Sequence, residues 1–263
     1  MESHFLGERA QPRAARDRLT RIGPAILLIA VAAACWAITA RRMQGMDMGP
    51  GTGLGGLGWF TIVWATMMAA MMLPSFVPMA VAYAGASRHA RASSPSVAAS
   101  VFAGGYVLIW AVAGVLAYTV FEGIRSLDLS WLAWDQAGRY VAGAVILGAA
   151  LYELTPAKAG FLRHCRNPAL LTRRWRTGMP GALHVGLEHG GLCVGASWAL
   201  MAALFALGVM SLTWMIVIAA LVAVEKLLPR NAVTVGAMVL FIAALGVAVA
   251  FAPGHVPGLT IPG

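Results

Sequence analysis

The chain has 263 residues, of which 60% are hydrophobic and only 11% charged, with a net charge of +9. The charged fraction is less than half the roughly 25% of soluble domains. That excludes an ordinary soluble enzyme and a nucleic-acid-binding domain. Long apolar runs joined by short polar links point instead to an all-α class, a polytopic transmembrane helix bundle.

Seven spans are read, at 23–40, 58–84, 97–121, 138–155, 181–208, 211–228 and 231–252, with six as the alternative count. The fifth and sixth are separated only by Val209 and Met210, so they form a tight helical hairpin or one broken span. With the N-terminus inside, inner segments hold 15 of the 19 Lys and Arg residues. This bias predicts an N-in, C-out multi-pass membrane protein. The charge therefore reflects topology and anionic lipid, not nucleic acid. The organisation is a basic cytoplasmic tail (1–22), one helical membrane domain (23–252) with an inner basic loop (156–180), and a short outer tail (253–263). The tail reads as a disordered, lipid-facing arm.

In chain order, the first outer loop carries Met43, Met46, Asp47 and Met48 before a run of glycines. Three thioethers in a flexible loop suit a copper-scavenging arm. The second span contains Met67, Met68, Met71 and Met72. Residues four apart share a helix face, so these are two adjacent rungs of thioether, a soft ligand suited to Cu(I). Ordinary core filling by a flexible side chain is the bland reading of the same block. Pro74 and Pro78 follow and should kink or break that span.

The fourth span ends at Glu153-Leu154-Thr155-Pro156-Ala157-Lys158, and the inner loop then carries His164-Cys165-Arg166. His164 and Cys165 suit a soft metal arriving from a cytosolic donor. The fifth span contains His184, Glu188, His189 and Cys193. His189 and Cys193 lie one turn apart on one face, an imidazole–thiolate pairing that fits zinc or copper. Met201 lies two turns beyond Cys193. The sixth span ends at Glu225-Lys226. Glu153, Lys158, Glu225 and Lys226 fall near the inner boundary, where an interhelical ion pair would hold the fourth and sixth spans together. Three scattered cysteines, with no CxxC, give no structural disulfide. At about 1.5 Å per residue, Met71 and Cys193 each fall about 18–20 Å into their spans, so the Met rungs and the His189/Cys193 face meet at mid-membrane.

Four ordered stretches between Trp59 and Pro229 carry a resemblance: the Met block with Pro74 and Ser75, Tyr152 to Lys158 with His164 to Pro168, His189 to Met201, and Gly208 to Pro229. In these the chain resembles bacterial integral membrane proteins grouped as predicted metal-binding, domain of unknown function 2182. The resemblance implies metal binding. It carries over to Met67, Met68, Met71, Met72, Pro74, Thr155, Lys158, Cys165, Arg166, Pro168, His189, Cys193, Trp198, Met201, Glu225 and Lys226. The family often has an amide at Glu153 and a further Cys at Gly195-Ala196. This chain has neither, which leaves Cys193 with His and Met as partners. The Met-x-x-x-Met span with a Met-rich outer loop is similar in chemistry to high-affinity copper uptake transporters.

The reading that results is a membrane protein whose cofactor or cargo is a copper ion. Met67, Met68, Met71, Met72, His189 and Cys193 bind it, and Met43, Met46, Met48, His164, Cys165, Glu188 and Met201 are accessory. Pro74, Glu153, Lys158, Glu225 and Lys226 have structural or gating roles. The function is metal transport or delivery to a membrane metalloenzyme, with lipid, the metal ion and a membrane partner or second copy as partners. A non-catalytic assembly subunit is the alternative. An enzyme using Glu188 and His189 as acid–base groups ranks last.

Overall fold

The computed structural model describes residues 3–43, 54–89, 95–128, 131, 133–169, 176, 178–257 and 259; side chains are described from Gly23 on, except at 88, 89, 95 and 135. Met46 and Met48 lie outside these residues. All regular structure among the described residues is helical. The helices are α1 (Ser3–Met43), α2 (Leu57–His89), α3 (Pro95–Ser126), α4 (Arg139–Glu153), α5 (Pro156–Arg166), α6 (Gly178–Leu207), α7 (Leu212–Leu227) and α8 (Ala232–Phe251). The helix begins at Ser3, so the basic tail continues α1 where a disordered arm was expected. Its Ala, Arg, Leu and Glu residues are strong helix formers.

Five stretches are long and apolar enough to cross a bilayer: Gly23–Met43, Leu57–Ser87, Ser96–Ser126, Gly178–Leu207 and Ala232–Phe251. Joining α4 to α5 as one bent span makes six. The sixth expected span, α7, has 16 residues. At 1.5 Å each it is about 24 Å long, short of a hydrocarbon core of about 30 Å. Its hairpin with α6 is present. Gly208 turns with φ +101°, a conformation open to glycine, and its carbonyl accepts the Ser211 N–H at 3.0 Å.

Pro74 and Pro78 do not break α2, which stays one helix from Leu57 to His89. The break falls instead at Thr155-Pro156, where α4 and α5 meet at 68°. Proline disfavours the helical conformation of the residue before it. Thr155 is accordingly extended, with ψ 145°, and its hydroxyl oxygen caps α5 by accepting the Lys158 N–H at 3.2 Å. The inner loop of the sequence reading is therefore an ordered helix over its first eleven residues.

Glycines set how closely the helices approach. α3 and α6 pack in parallel along Gly105, Gly186 and Gly190. A Cβ on Gly186 would lie 2.3 Å from the Phe102 carbonyl oxygen, and one on Gly105 would lie 2.7 Å from that of Leu183. Gly186-x-x-x-Gly190 is the small-xxx-small pattern of membrane helix contacts. α4 and α8 meet the same way, antiparallel, at Gly143 and Gly246.

The corner between α4 and α5 is fixed by charge. Lys158 is fully buried and donates to Glu153 Oε1 at 2.7 Å and Glu225 Oε1 at 2.8 Å. One ammonium thus ties α4, α5 and α7 together. The ion pairing expected between the fourth and sixth spans is present, but through Lys158 and not Lys226. Nearby, Arg230 Nη2 donates to the Glu153 carbonyl at 2.8 Å, and Arg166 donates to the Leu228 carbonyl.

Two stability outcomes follow, both measured as thermal unfolding in detergent. Gly186→Val should cost about 1–3 kcal/mol by overpacking, while Gly148→Ala, with nothing within 4 Å of the new Cβ, should be neutral or better. Lys158→Met strands two buried carboxylates and should cost about 3–5 kcal/mol. A midpoint unchanged by Lys158→Met would remove the ion pair from the architecture.

Candidate metal centre

The α4–α5 bend carries Cys165 into the bundle. It sits near the end of α5 on the face that also buries Lys158 and Leu162. α5 crosses α6 at Gly195, against which the Phe161 ring lies. The glycine keeps that crossing close: a Cβ there would stand 3.0 Å from the ring. Tyr152, at the end of α4, donates its hydroxyl to the Gly195 carbonyl at 2.7 Å and fixes the same level.

As a result the Cys165 side chain comes close enough to that of Cys193 for the two thiols to interact. Both are free thiols, 5% and 0% exposed. Lys226 closes the cluster from α7. Its ammonium donates to Cys193 Sγ at 2.8 Å, Ser75 Oγ at 3.2 Å and Tyr106 Oη at 3.4 Å, and it reaches Met72 Sδ at 3.8 Å. Tyr106 Oη is also 3.0 Å from Cys193 Sγ. Elements α2, α3, α5, α6 and α7 therefore each contribute a side chain to one point: Met72 and Ser75, Tyr106, Cys165, Cys193, and Lys226.

Glu225 and Lys226 are consecutive on α7, so they point about 100° apart. One joins Lys158; the other faces the thiols. This explains how a buried ion pair and a sulfur cluster sit side by side without sharing a charged group.

His189 is one turn from Cys193, buried, and enclosed by rings. Its centroid lies 5.6 Å from Phe76 and 5.9 Å from both Phe102 and Tyr106. These rings belong to a continuous stack. Tyr106 lies on Phe76 at 4.3 Å, Phe76 on Phe102 at 4.9 Å, and Phe102 on Tyr83 at 4.6 Å. The stack walls one side of the cluster and holds the Tyr106 hydroxyl toward Cys193.

The other residues singled out in the sequence divide clearly. Met72 reaches the cluster, and Met68, one turn away, shares its face. Met67, Met68 and Met71 are buried in the apolar core, as is Met201. His184 and Glu188 pair with each other at 3.1 Å on an exposed face of α6, away from the thiols. His164 does not act with Cys165: its Nδ1 lies 2.9 Å from the Gly160 carbonyl of its own helix. Adjacent helical residues face different ways, so the His-Cys dipeptide splits on folding. Met43 is buried at the end of α1. Pro74, expected to open the helix, sits inside it beside Ser75.

Sequence reasoning missed Tyr106 and Ser75 and gave Lys226 only a structural role. Lys226 carried a signal, because Glu225 and Lys226 cannot both face one partner on a helix. Tyr106 carried a weaker one: it follows Gly104-Gly105, where two helices come close.

Among the described residues no three His, Cys, Asp or Glu side chains gather to hold a metal ion by themselves. The donor set here is two thiols and a thioether. That is a poor zinc site, which takes four N, O or S ligands, and a suitable one for soft Cu(I). A family model described as PpoB2, copper chaperone, matches residues 61–249, a stretch that holds every member of the cluster. No curated protein and no solved structure matches. With the match covering most of its length, the chain belongs to the PpoB2 copper-chaperone family.

Proposed function

We propose that this protein carries copper as Cu(I) on Cys193, Cys165 and Met72 and hands it to a client protein at the bacterial inner membrane. One observation carries the reading. Two thiols from α5 and α6 face each other in the core, with a thioether from α2 behind the same ammonium. Thiolate and thioether sulfur are the donors that select Cu(I). A copper-chaperone family supplies the cargo independently.

Charge supports the same assignment. Two thiolates around one Cu(I) carry one negative charge, which is costly to bury without a counter-charge. Lys226 supplies it at hydrogen-bond distance. His189 and Met68 stand one turn from Cys193 and Met72, where they can complete or relay the ligand set. Outward of Cys193 the bundle is filled by Trp64, Met68, Leu200 and Leu204, all buried. This favours a carrier that holds and hands over its ion above an open channel. On this reading the chain does no chemistry of its own. The exposed pair His184 and Glu188 lies away from the cluster.

Full-length protein in detergent, titrated with Cu(I) against a chelating competitor, should bind one ion per chain. Cys193→Ser and Cys165→Ser should each weaken binding about 100-fold or more, and Met72→Leu about tenfold. Met67→Leu, on the other rung, should change nothing. Unaltered stoichiometry and affinity in the Cys165→Ser/Cys193→Ser protein would overturn the assignment.

A further inference from the structure

One face of α3 changes character abruptly. One line of exposed positions recurs every four residues, Ser96, Ser100, Gly104, Leu108, Val112, Leu116, Val120 and Ile124, with Val97 and Thr119 exposed beside it. From Leu108 on, every position in the line is large and apolar and about half exposed or more, from 46% to 62%. Before Leu108 every position in the line is serine or glycine. The change falls at Tyr106, the residue whose hydroxyl holds Cys193.

On the neighbouring helices the inner half of α6 exposes His184 and Gly191 together with Met179 and Leu183, and α2 exposes Pro74 and Pro78. The shorter helices stop here altogether. α4 ends at Glu153, α7 at Leu227, and α8 starts at Ala232 with Arg230 just before it. Helix α5, bent by 68° from α4, turns its exposed Arg163 outward at this same level. At the other end stand Arg42, Arg125 and Arg139, closing α1 and α3 and opening α4. The apolar stripe from Leu108 to Ile124 is about 24 Å long, and α8 about 30 Å. Helix α8 matches a hydrocarbon core of about 30 Å, and the stripe spans most of it.

We propose that the bilayer covers the molecule only between the Arg125 level and the Tyr106 level. The Cys165–Cys193–Lys226 cluster then lies at the inner edge of the membrane, not at its midplane. The remaining part of α2, α3 and α6, residues 78–89, 96–105 and 178–192, stands in water as a three-helix projection. The mid-membrane position follows from counting along α2 and α6 as if each were immersed end to end. The exposed stripe of α3 shows where immersion stops. Basic residues at the Arg163 and Arg230 level place that edge on the cytoplasmic side. Metal exchange at the cluster is then with the inner aqueous phase, through the side on which Lys226 is half-buried.

The test is accessibility in native membranes. Single cysteines at Ser96, Ser100, Gly104, Val112, Leu116 and Val120 are placed in a chain whose Cys35, Cys165 and Cys193 are serine. They are exposed to a membrane-impermeant maleimide in inside-out vesicles. Ser96→Cys, Ser100→Cys and Gly104→Cys should label at least tenfold faster than the other three, and should not label in right-side-out vesicles. Protection of Ser100→Cys and Gly104→Cys equal to that of Val112→Cys would overturn the proposal, and so would their labelling from the outer side. A second measurement keeps all native cysteines. Ser100→Lys should accumulate in membranes at the unmodified level, whereas Val112→Lys, placing an ammonium in hydrocarbon, should fall at least severalfold. Equal loss for both would also overturn it. Neither measurement involves copper, so each can fail or succeed apart from the metal assignment.

Discussion

The buried ammonium of Lys158 is the interaction on which the rest of this structure depends. Taking a lysine fully out of water is tolerable only with partners of opposite charge in close geometry. Glu153 and Glu225 supply them from two other helices, at 2.7 and 2.8 Å. The consequence is geometric. Once Lys158 is held against α4 and α7, α5 must fold back at Thr155-Pro156 and lie across α6 at Gly195. That path delivers Cys165, two turns after Lys158, to Cys193. The same contact fixes the end of α7 through Glu225, and so aims Lys226 at the thiols. One ion-paired residue thereby positions two members of a cluster of which it is not itself a part.

Much of this was legible in the sequence, for definite reasons. Apolar runs report helices directly, and the α6–α7 hairpin followed from two residues separating two such runs. Met72 and Cys193 were identifiable because soft donors are rare choices at membrane depth and fall on helix faces that can be drawn from spacing alone. The four residues Glu153, Lys158, Glu225 and Lys226 stood out because buried charge is costly. What spacing does not encode is which charge meets which. Pairing Lys158 with both carboxylates, and Lys226 with sulfur, is a fact of helix rotation and tilt.

The placement of Cys165 shows the same limit more sharply. In sequence it sits among arginines next to His164, and a basic polar stretch reads as a loop. The helix forms because Pro156 and Thr155 start it and cap it. Its inner face is then Lys158, Leu162 and Cys165, spaced four and three apart. That pattern of one lysine, one leucine and one cysteine is too short and too polar to announce a buried face by hydrophobic periodicity. Only the ion pair makes it one. Conversely, Pro74 and Pro78 announced a kink or a break, and α2 runs through both without a break, because a packed helix tolerates proline when its neighbours hold it.

On the proposed Cu(I) assignment, Glu225 and Lys226 also link stability to metal handling. Both lie in the last turn of α7, and the backbone leaves the helix at Leu228, which is extended with ψ 151°. Glu225 anchors that turn to Lys158. Lys226, from the same turn, supplies the positive charge beside Cys193. A movement of this one turn therefore withdraws the counter-charge from a bound Cu(I)–thiolate pair and loosens the α4–α5–α7 corner at once. The reverse also holds: an ion bound between Cys165 and Cys193 joins α5 to α6 directly and takes over part of the joining that Lys158 performs. On that assignment copper loading and the closing of this corner are one equilibrium seen from two sides.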